Sequence, residues 1–329
     1  MHRISAATAV RPGSAWRRRR FFGSAVAGSA LWLAACSSAP VAPPAPLPEP
    51  VAVPTPLPPA PPVLRAPRIG LALGGGAARG FAHIGVIQVL EEAGIKPDLV
   101  VGTSAGSVVA ALYASGKNGA QLGRVADAMT EAAFTDWSYP GRGLIRGEAL
   151  ARFVREHTGG KAIEAMRVPL GIVATDLDSG QPILFQIGDP GVAVRASSAV
   201  PAVFQPVKIG SREYVDGGLV APVPVRFARQ MGAEMVIAVD ISAAPDGSPT
   251  GDAMHMLLQT FSIMGRSLNQ FELAGADTVL RPRLAGVSGS DFSARNRSIQ
   301  AGREAATAAL PAIRAQIAGK SVQVSAALP

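Results

Sequence analysis

Two consecutive strand–turn–helix units constrain the fold of this chain more than any other feature of its sequence. In the first, the apolar run 68–73 leads through the glycine-rich loop 74–80 into a helical pattern that ends near Gly94. In the second, a strand over 98–101 is followed by a turn at residue 104 and a helix over 105–114. Units of this kind predict an α/β domain with a parallel sheet and helices on its faces.

The second turn carries a candidate nucleophile. Residues 102–106 read GTSAG and fit G-x-S-x-G, a serine on a sharp turn between a strand and a helix. The Ser104 hydroxyl would need a base to take its proton. In the serine–acid–histidine order, only His255 could complete a triad.

Asp216 is the other candidate base. It ends a predicted strand and is followed by Gly217 and Gly218, which permit a tight turn and a close backbone approach. A carboxylate within hydrogen-bond range could accept the Ser104 proton directly. An ordinary Asp-Gly turn would explain the same residues, so the residues alone leave the base open.

The glycine-rich loop has two possible uses. A dinucleotide site would need G-x-G-x-x-G, but Arg79 stands at the third glycine position after Gly74 and Gly76, and no suitable acidic ribose ligand follows. No Gly-Lys-Ser/Thr follows either, which excludes a P-loop. We therefore expect no nucleotide. The other use is an oxyanion hole built from backbone N–H groups.

The positive charge lies mainly at the N-terminus. The chain has a net charge of +8, and residues 1–35 contain six arginines but no acidic residue. The remainder carries only a small excess of positive charge without an obvious cluster, so we expect no nucleic-acid partner.

Residues 1–35 predict an export signal. Four arginines at 17–20 precede a short apolar stretch, and RRRFF fits the core of a twin-arginine signal. The sequence LAAC at 33–36 resembles a bacterial lipoprotein box, in which Cys36, the only cysteine of the chain, would carry the lipid. Ser37 follows in place of aspartate, which favours the outer membrane. A transmembrane anchor is the alternative, although the apolar run is short for one.

The rest of the chain divides by composition. Residues 36–67, rich in proline, predict an extended tether that joins no sheet. We expect the catalytic domain over 68–320 and a tail over 321–329.

Together, the loop with Arg79, GTSAG at Ser104 and DGG at Asp216 resemble the patatin-like phospholipases, especially the bacterial branch related to the neuropathy target esterase catalytic domain. The block at 195–201 extends this resemblance. It implies a three-layer α/β fold with a mostly parallel central sheet and a nucleophile elbow. It also implies a Ser-Asp dyad without histidine, in which Ser104 is the nucleophile and Asp216 its base.

The resemblance further implies an oxyanion hole and its supports. The hole would be lined by the N–H groups of Gly75, Gly76, Ala77 and Ala105. Arg79 would hold the loop or add positive potential, and the supporting glycines would be Gly80, Gly102, Gly106, Gly217 and Gly218. Ala77 stands where the family has glycine, which suits the hole provided that the backbone there does not need a positive φ.

Taken together, these predictions describe a lipid acyl hydrolase that is tethered to the outer membrane and faces the periplasm. Its partners would be phospholipid or other lipid esters and, through the lipid anchor, the membrane. We expect no cofactor and no metal, because Asp176 and Asp178 are explained by a turn. The alternatives are an envelope scaffold or binding lipoprotein of the same fold with little turnover, and a Ser-Asp-His esterase that uses His255.

Overall fold

An eight-stranded mixed sheet forms the centre of the computed structural model, which describes residues 63–138, 141–242 and 251–324. The strands are β1 (Val63–Arg65), β2 (Ile69–Leu73), β3 (Leu99–Thr103), β4 (Gly143–Ile145), β5 (Leu170–Asp176), β6 (Pro182–Phe185), β7 (Ala202–Phe204), β8 (Val207–Ile209), β9 (Arg212–Asp216), β10 (Met235–Val239), β11 (Thr278–Leu280) and β12 (Val322–Val324).

The strand order across the central sheet is β11-β10-β2-β3-β5-β9-β8, and β6 also pairs with β5. The five strands from β11 to β5 run parallel to one another. The strands β6, β8 and β9 add an antiparallel part. The prediction of a mostly parallel sheet is therefore confirmed.

Eight α-helices are present in the described part of the chain. They are α1 (Phe81–Glu92), α2 (Ala105–Ala114), α3 (Gly119–Ala128), α4 (Glu148–Thr158), α5 (Pro190–Ser197), α6 (Val225–Gln230), α7 (Ala253–Ala274) and α8 (Arg295–Lys320). Short 3-10 turns lie at Ala77–Gly80, Glu131–Phe134, Ile163–Ala165, Gly217–Leu219 and Phe292–Ala294.

Helices cover both faces of the sheet, because its central strands are apolar on both sides. Side chains alternate between faces along a strand. In β2, Leu71 and Leu73 belong to a core cluster shared with α1, α2 and α8, whereas Ala72 belongs to a second cluster shared with α6. The two clusters give the three-layer arrangement that was predicted.

A second, two-stranded sheet lies outside the expected domain boundaries. The strand β1 pairs antiparallel with β12, so Val63 lies opposite Val324 and Arg65 opposite Val322. The expectation that the segment up to residue 67 joins no sheet is wrong for 63–65. These three residues contain no proline and keep their backbone donors. Arg65 also binds both carboxylate oxygens of Glu234, at 2.8 Å each.

No helix in the described residues is long and apolar enough to span a bilayer. The predicted export signal, Cys36 and the proline-rich segment up to residue 62 lie outside the described residues, so those predictions stay predictions.

Candidate active site

Ser104 occupies a tight turn between β3 and α2. Its φ is 52°, in the left-handed region that non-glycine residues rarely adopt. The two glycines of GTSAG are required because backbone atoms lie too close to them to leave room for a side chain. A Cβ at Gly102 would lie 2.5 Å from the Gly106 carbonyl oxygen, and one at Gly106 would lie 2.2 Å from the Leu73 carbonyl oxygen. The local geometry is that of a nucleophile elbow.

The register of the sheet brings Asp216 to this turn from 112 residues away. The strand β5 lies between β3 and β9, with Thr103 opposite Val173 and Asp216 opposite Ala174. Ser104 Oγ donates a hydrogen bond of 2.7 Å to Asp216 Oδ2. The other carboxylate oxygen accepts the Gly218 N–H at 2.6 Å.

Asp216 is buried, with only 6% of the residue exposed. Burial disfavours its charged form and raises its pKa from 3.8 to about 6, although the hydrogen bonds from Ser104 and Gly218 act in the opposite direction. The group is therefore more basic than an ordinary aspartate and still mostly ionised at neutral pH.

Ser197 is a positioning residue to which the sequence analysis assigned no role. The Ser104 N–H donates to Ser197 Oγ at 2.8 Å, and this hydroxyl donates to the Val173 carbonyl at 2.5 Å. Thr175 Oγ1 donates in turn to the Asp216 carbonyl at 2.8 Å. The sequence feature that could have indicated this role is the pair of serines at 197–198 inside an otherwise apolar stretch.

The glycine-rich loop supplies fewer free donors than expected. The Gly75 N–H donates to the Pro222 carbonyl at 2.9 Å. It is therefore not free to bind an oxyanion, contrary to the prediction. Among the described residues, none accepts a hydrogen bond from the N–H of Gly76, Ala77 or Ala105. The donors left for an oxyanion are therefore Gly76, Ala77 and Ala105.

Ala77 has a φ of 51°. Alanine was expected to suit this position only if the backbone did not need a positive φ. That condition is not met, because the backbone adopts the conformation that favours glycine. The N–H is nevertheless present, and the departure from the family pattern appears as local strain rather than as a lost donor.

Two side chains hydrogen-bond to carbonyl oxygens of the glycine-rich loop and hold it in place. Arg79 Nε donates to the Gly76 carbonyl at 3.2 Å, which agrees with the loop-holding role considered for it. His83 Nε2 donates to the Gly74 carbonyl at 2.8 Å. His83 is fully buried, and burial lowers its pKa to about 4, so it is a neutral, structural histidine.

Ser104 and Asp216 line a mostly apolar cavity of about 860 Å³. One wall is the glycine-rich loop, and other walls come from α7 and from residues 282 and 284–289. The α7 residues that line it are Leu258, Phe261, Ser262, Gly265 and Arg266.

His255 is not among the residues that line this cavity. It is exposed, and its Nδ1 lies 2.7 Å from Asp252 Oδ2 in the first turn of α7. Asp176 is held in a turn, where Oδ1 accepts the Ser179 N–H at 2.9 Å and Oδ2 pairs with Arg212 at 2.6 Å. The described residues contain no group of three or more histidine, cysteine or acidic side chains arranged to hold a metal ion.

The chain is similar to known proteins both in sequence and in fold. Residues 71–229 match the family described as patatin-like phospholipase. This segment is therefore similar to a patatin-like domain. The crystal structure of VipD from Legionella pneumophila has the same fold, with a TM-score of 0.53 and 13% identity over 75% of this chain and 67% of that one.

Sequence relatives of the patatin-like domain occur in bacteria and animals. An uncharacterized NTE family protein of Mycobacterium tuberculosis is 35% identical over 231 residues, which cover 68% of this chain and 64% of the relative. The human patatin-like phospholipase domain-containing protein 6 is 35% identical over 203 residues, which cover 58% of this chain and 15% of that protein. The chain thus spans less than two thirds of the length of these relatives.

Proposed function

We propose that this protein is a serine lipid acyl hydrolase in which Ser104 is the nucleophile and Asp216 its base. The observation that carries the proposal is the 2.7 Å hydrogen bond from Ser104 Oγ to a buried carboxylate, inside a mostly apolar cavity. The bond gives the hydroxyl proton a direct acceptor, so no histidine is needed.

The reaction would proceed in two halves. Asp216 takes the proton as Ser104 Oγ attacks the ester carbonyl, and the N–H groups of Gly76, Ala77 and Ala105 stabilise the negative oxygen. Collapse of the tetrahedral intermediate breaks the ester C–O bond, and Asp216 returns the proton to the departing alcohol. Water then attacks the acyl-serine by the same route, which releases the carboxylic acid and restores Ser104.

The substrate class follows from the cavity and the family. A largely apolar lining suits an acyl chain, and the family described as patatin-like phospholipase points to lipid carboxylic esters. We propose phospholipids or lysophospholipids as substrates, without a metal or another cofactor.

Ester hydrolysis by wild type and Ser104→Ala tests the proposal. A chain-length series of chromogenic esters, followed by phospholipid and lysophospholipid vesicles, should show turnover that Ser104→Ala abolishes. We expect His255→Ala to retain activity, because its side chain pairs with Asp252 instead of lining the cavity. Absence of turnover from folded wild type would favour the scaffold alternative, and loss of turnover in His255→Ala would favour the triad.

We further propose that the protein is a lipoprotein of the outer membrane that faces the periplasm. The support is the sequence of residues 1–37, with its arginine run, short apolar stretch and LAAC box. Mass spectrometry of the membrane-extracted protein should find a mature N-terminus at a diacylated Cys36. An unmodified cysteine in the mature protein would contradict this proposal.

A further inference from the structure

The helix α7 exposes an unusual amount of apolar surface. Five of the ten large apolar side chains that are exposed in the described chain lie on this one helix: Met256, Leu257, Ile263, Met264 and Phe271. Phe271 is 81% exposed, and Ile263 and Met264 are each about half exposed. We call these five residues the α7 outer face. Scattered single apolar residues are normal on a surface, whereas a concentration of this kind marks an interaction site.

The spacing shows that the α7 outer face is a continuous stripe. Met256, Ile263, Met264 and Phe271 lie, with residues 260 and 267, at spacings of three and four that place them on one side of the helix, and Leu257 lies at the edge of that side. Thr260 and Ser267, the polar members of this series, are small and uncharged.

The opposite side of α7 belongs to the candidate active site. Leu258, Phe261 and Gly265 line the cavity that contains Ser104. Farther along the same side, Asn269 is buried and accepts the Val223 N–H at 3.1 Å. One helix therefore separates the cavity from the exposed apolar stripe.

The charges on and around α7 complement an anionic surface. Within Ala253–Ala274 the only carboxylate, Glu272, is buried and pairs with Arg226 at 2.5 Å. Asp252, which caps the N-terminus of α7, is exposed and pairs with His255. Arg266 on α7 and Arg283 on the facing loop are exposed, and neither forms an ion pair or hydrogen bond with another described residue. Arg266 lines the cavity, and Arg283 lies between two residues that do, Pro282 and Leu284.

From these observations, and resting on the proposed lipid hydrolase function, we propose that the α7 outer face docks on the surface of a phospholipid bilayer that contains anionic lipid. The apolar side chains insert among the acyl chains near the headgroups, and the two arginines meet lipid phosphates. Docking through the helix that walls the cavity places the cavity next to its substrate.

A local probe tests where the membrane contacts the protein. Cys36 is the only cysteine, so full-length protein with Cys36→Ser and Ser104→Ala can be labelled at one introduced cysteine, Phe271→Cys. The label is a fluorophore whose emission moves to shorter wavelength in apolar surroundings. We expect this shift on addition of phosphatidylcholine vesicles that contain phosphatidylglycerol, and a smaller shift with phosphatidylcholine alone.

Ile187 provides the matched control. It is 73% exposed, lies outside α7 and does not line the cavity. The same label at Ile187→Cys should not respond to vesicles. The proposal is overturned if the label at position 271 is unaffected by vesicles. It is equally overturned if that label is already shifted without lipid in a way that depends on protein concentration, which would assign the α7 outer face to a second copy of this chain.

Enzyme kinetics separate this proposal from the proposed function. In protein with Ser104 intact, Met264→Ser combined with Phe271→Ser should lower turnover of vesicle phospholipid by about tenfold. Turnover of a soluble short-chain ester should be unchanged, and Ile187→Ser should change neither. Equal turnover of vesicle lipid by the double variant and wild type would refute docking through α7 and would leave the hydrolase proposal intact. If wild type hydrolyses neither substrate while the label at 271 still shifts, the hydrolase proposal fails and the docking surface stands.

Discussion

At the scale of single residues, Asp216 illustrates a conflict between stability and reactivity. A buried carboxyl with a pKa of about 6 is a better base than an exposed one, but its ionised form is poorly solvated. Folding favours the protonated form. The contribution of Asp216 to stability is therefore fully present below pH 3.8 and is lost as the pH rises through about 6.

Asp216→Asn should abolish turnover and stabilise the fold at neutral pH. Asparagine cannot ionise, and its side-chain oxygen can still accept the Gly218 N–H. Chemical denaturation should show an unfolding free energy about 3 kcal/mol above that of wild type at pH 8, with little difference at pH 4. The same pKa predicts that kcat/KM of wild type rises with pH through about 6. A variant less stable than wild type at pH 8 would contradict this account of burial.

Ala77→Gly should stabilise the protein by about 1 kcal/mol, because glycine adopts a positive φ without the steric penalty of a Cβ. Turnover should change little, since the N–H is kept. Ala78 in the same 3-10 turn has no positive φ and serves as the control. Thermal unfolding should rank Ala77→Gly above wild type and Ala78→Gly below it; the reverse order would show that position 77 is not strained.

At the scale of secondary-structure elements, the contact between α1 and α8 depends on glycine. A Cβ at Gly302 would lie 2.0 Å from the Ala82 carbonyl oxygen, and a Cβ at Gly85 would lie 1.9 Å from the Ile299 carbonyl oxygen. The helices can approach this closely only because neither residue has a side chain. Since α1 starts at the glycine-rich loop, this contact also supports the candidate active site.

Gly302→Ala should therefore destabilise the protein by about 3 kcal/mol, because the two backbones must move apart. Gly319, near the end of the same helix, has no atom within 4 Å of the position of an added Cβ. Gly319→Ala should leave stability unchanged or raise it by up to about 1 kcal/mol through helix propensity. Urea denaturation of both variants checks the contrast, and equal effects would contradict the close helix contact.

At the scale of the whole molecule, the short strands near the two ends of the described chain are joined. The pairing of β1 with β12 brings residue 63 next to residue 324, and the Arg65–Glu234 ion pair attaches β1 to the segment that leads into β10. Protein that starts at Arg68 lacks β1 and leaves β12 unpaired. Its thermal midpoint should lie a few degrees below that of protein that starts at Pro62, as measured by calorimetry. Equal midpoints would show that the two-stranded sheet adds no stability.

Sequence patterns predicted the local parts of this protein well. Apolar runs, glycine loops and helical spacing indicated β2, α1, β3 and α2, and the bounds 105–114 of α2 agree with the structure. These features depend on neighbouring residues, so they can be recognised without the fold. The small sheet of β1 and β12 was missed, because it depends on pairing between opposite ends of the described chain.

The sequence by itself determined that Ser104 lies on a tight turn in an α/β domain and that Asp216 ends a strand before two glycines. Only the tertiary structure decided which candidate base lies beside the serine, because that depends on the register of β5 between β3 and β9. It likewise decided that the Gly75 N–H is occupied, that Ser197 supports Ser104, and that α7 has one side toward the cavity and one toward solvent. Each of these facts joins residues far apart in the chain, and local pattern does not encode such contacts.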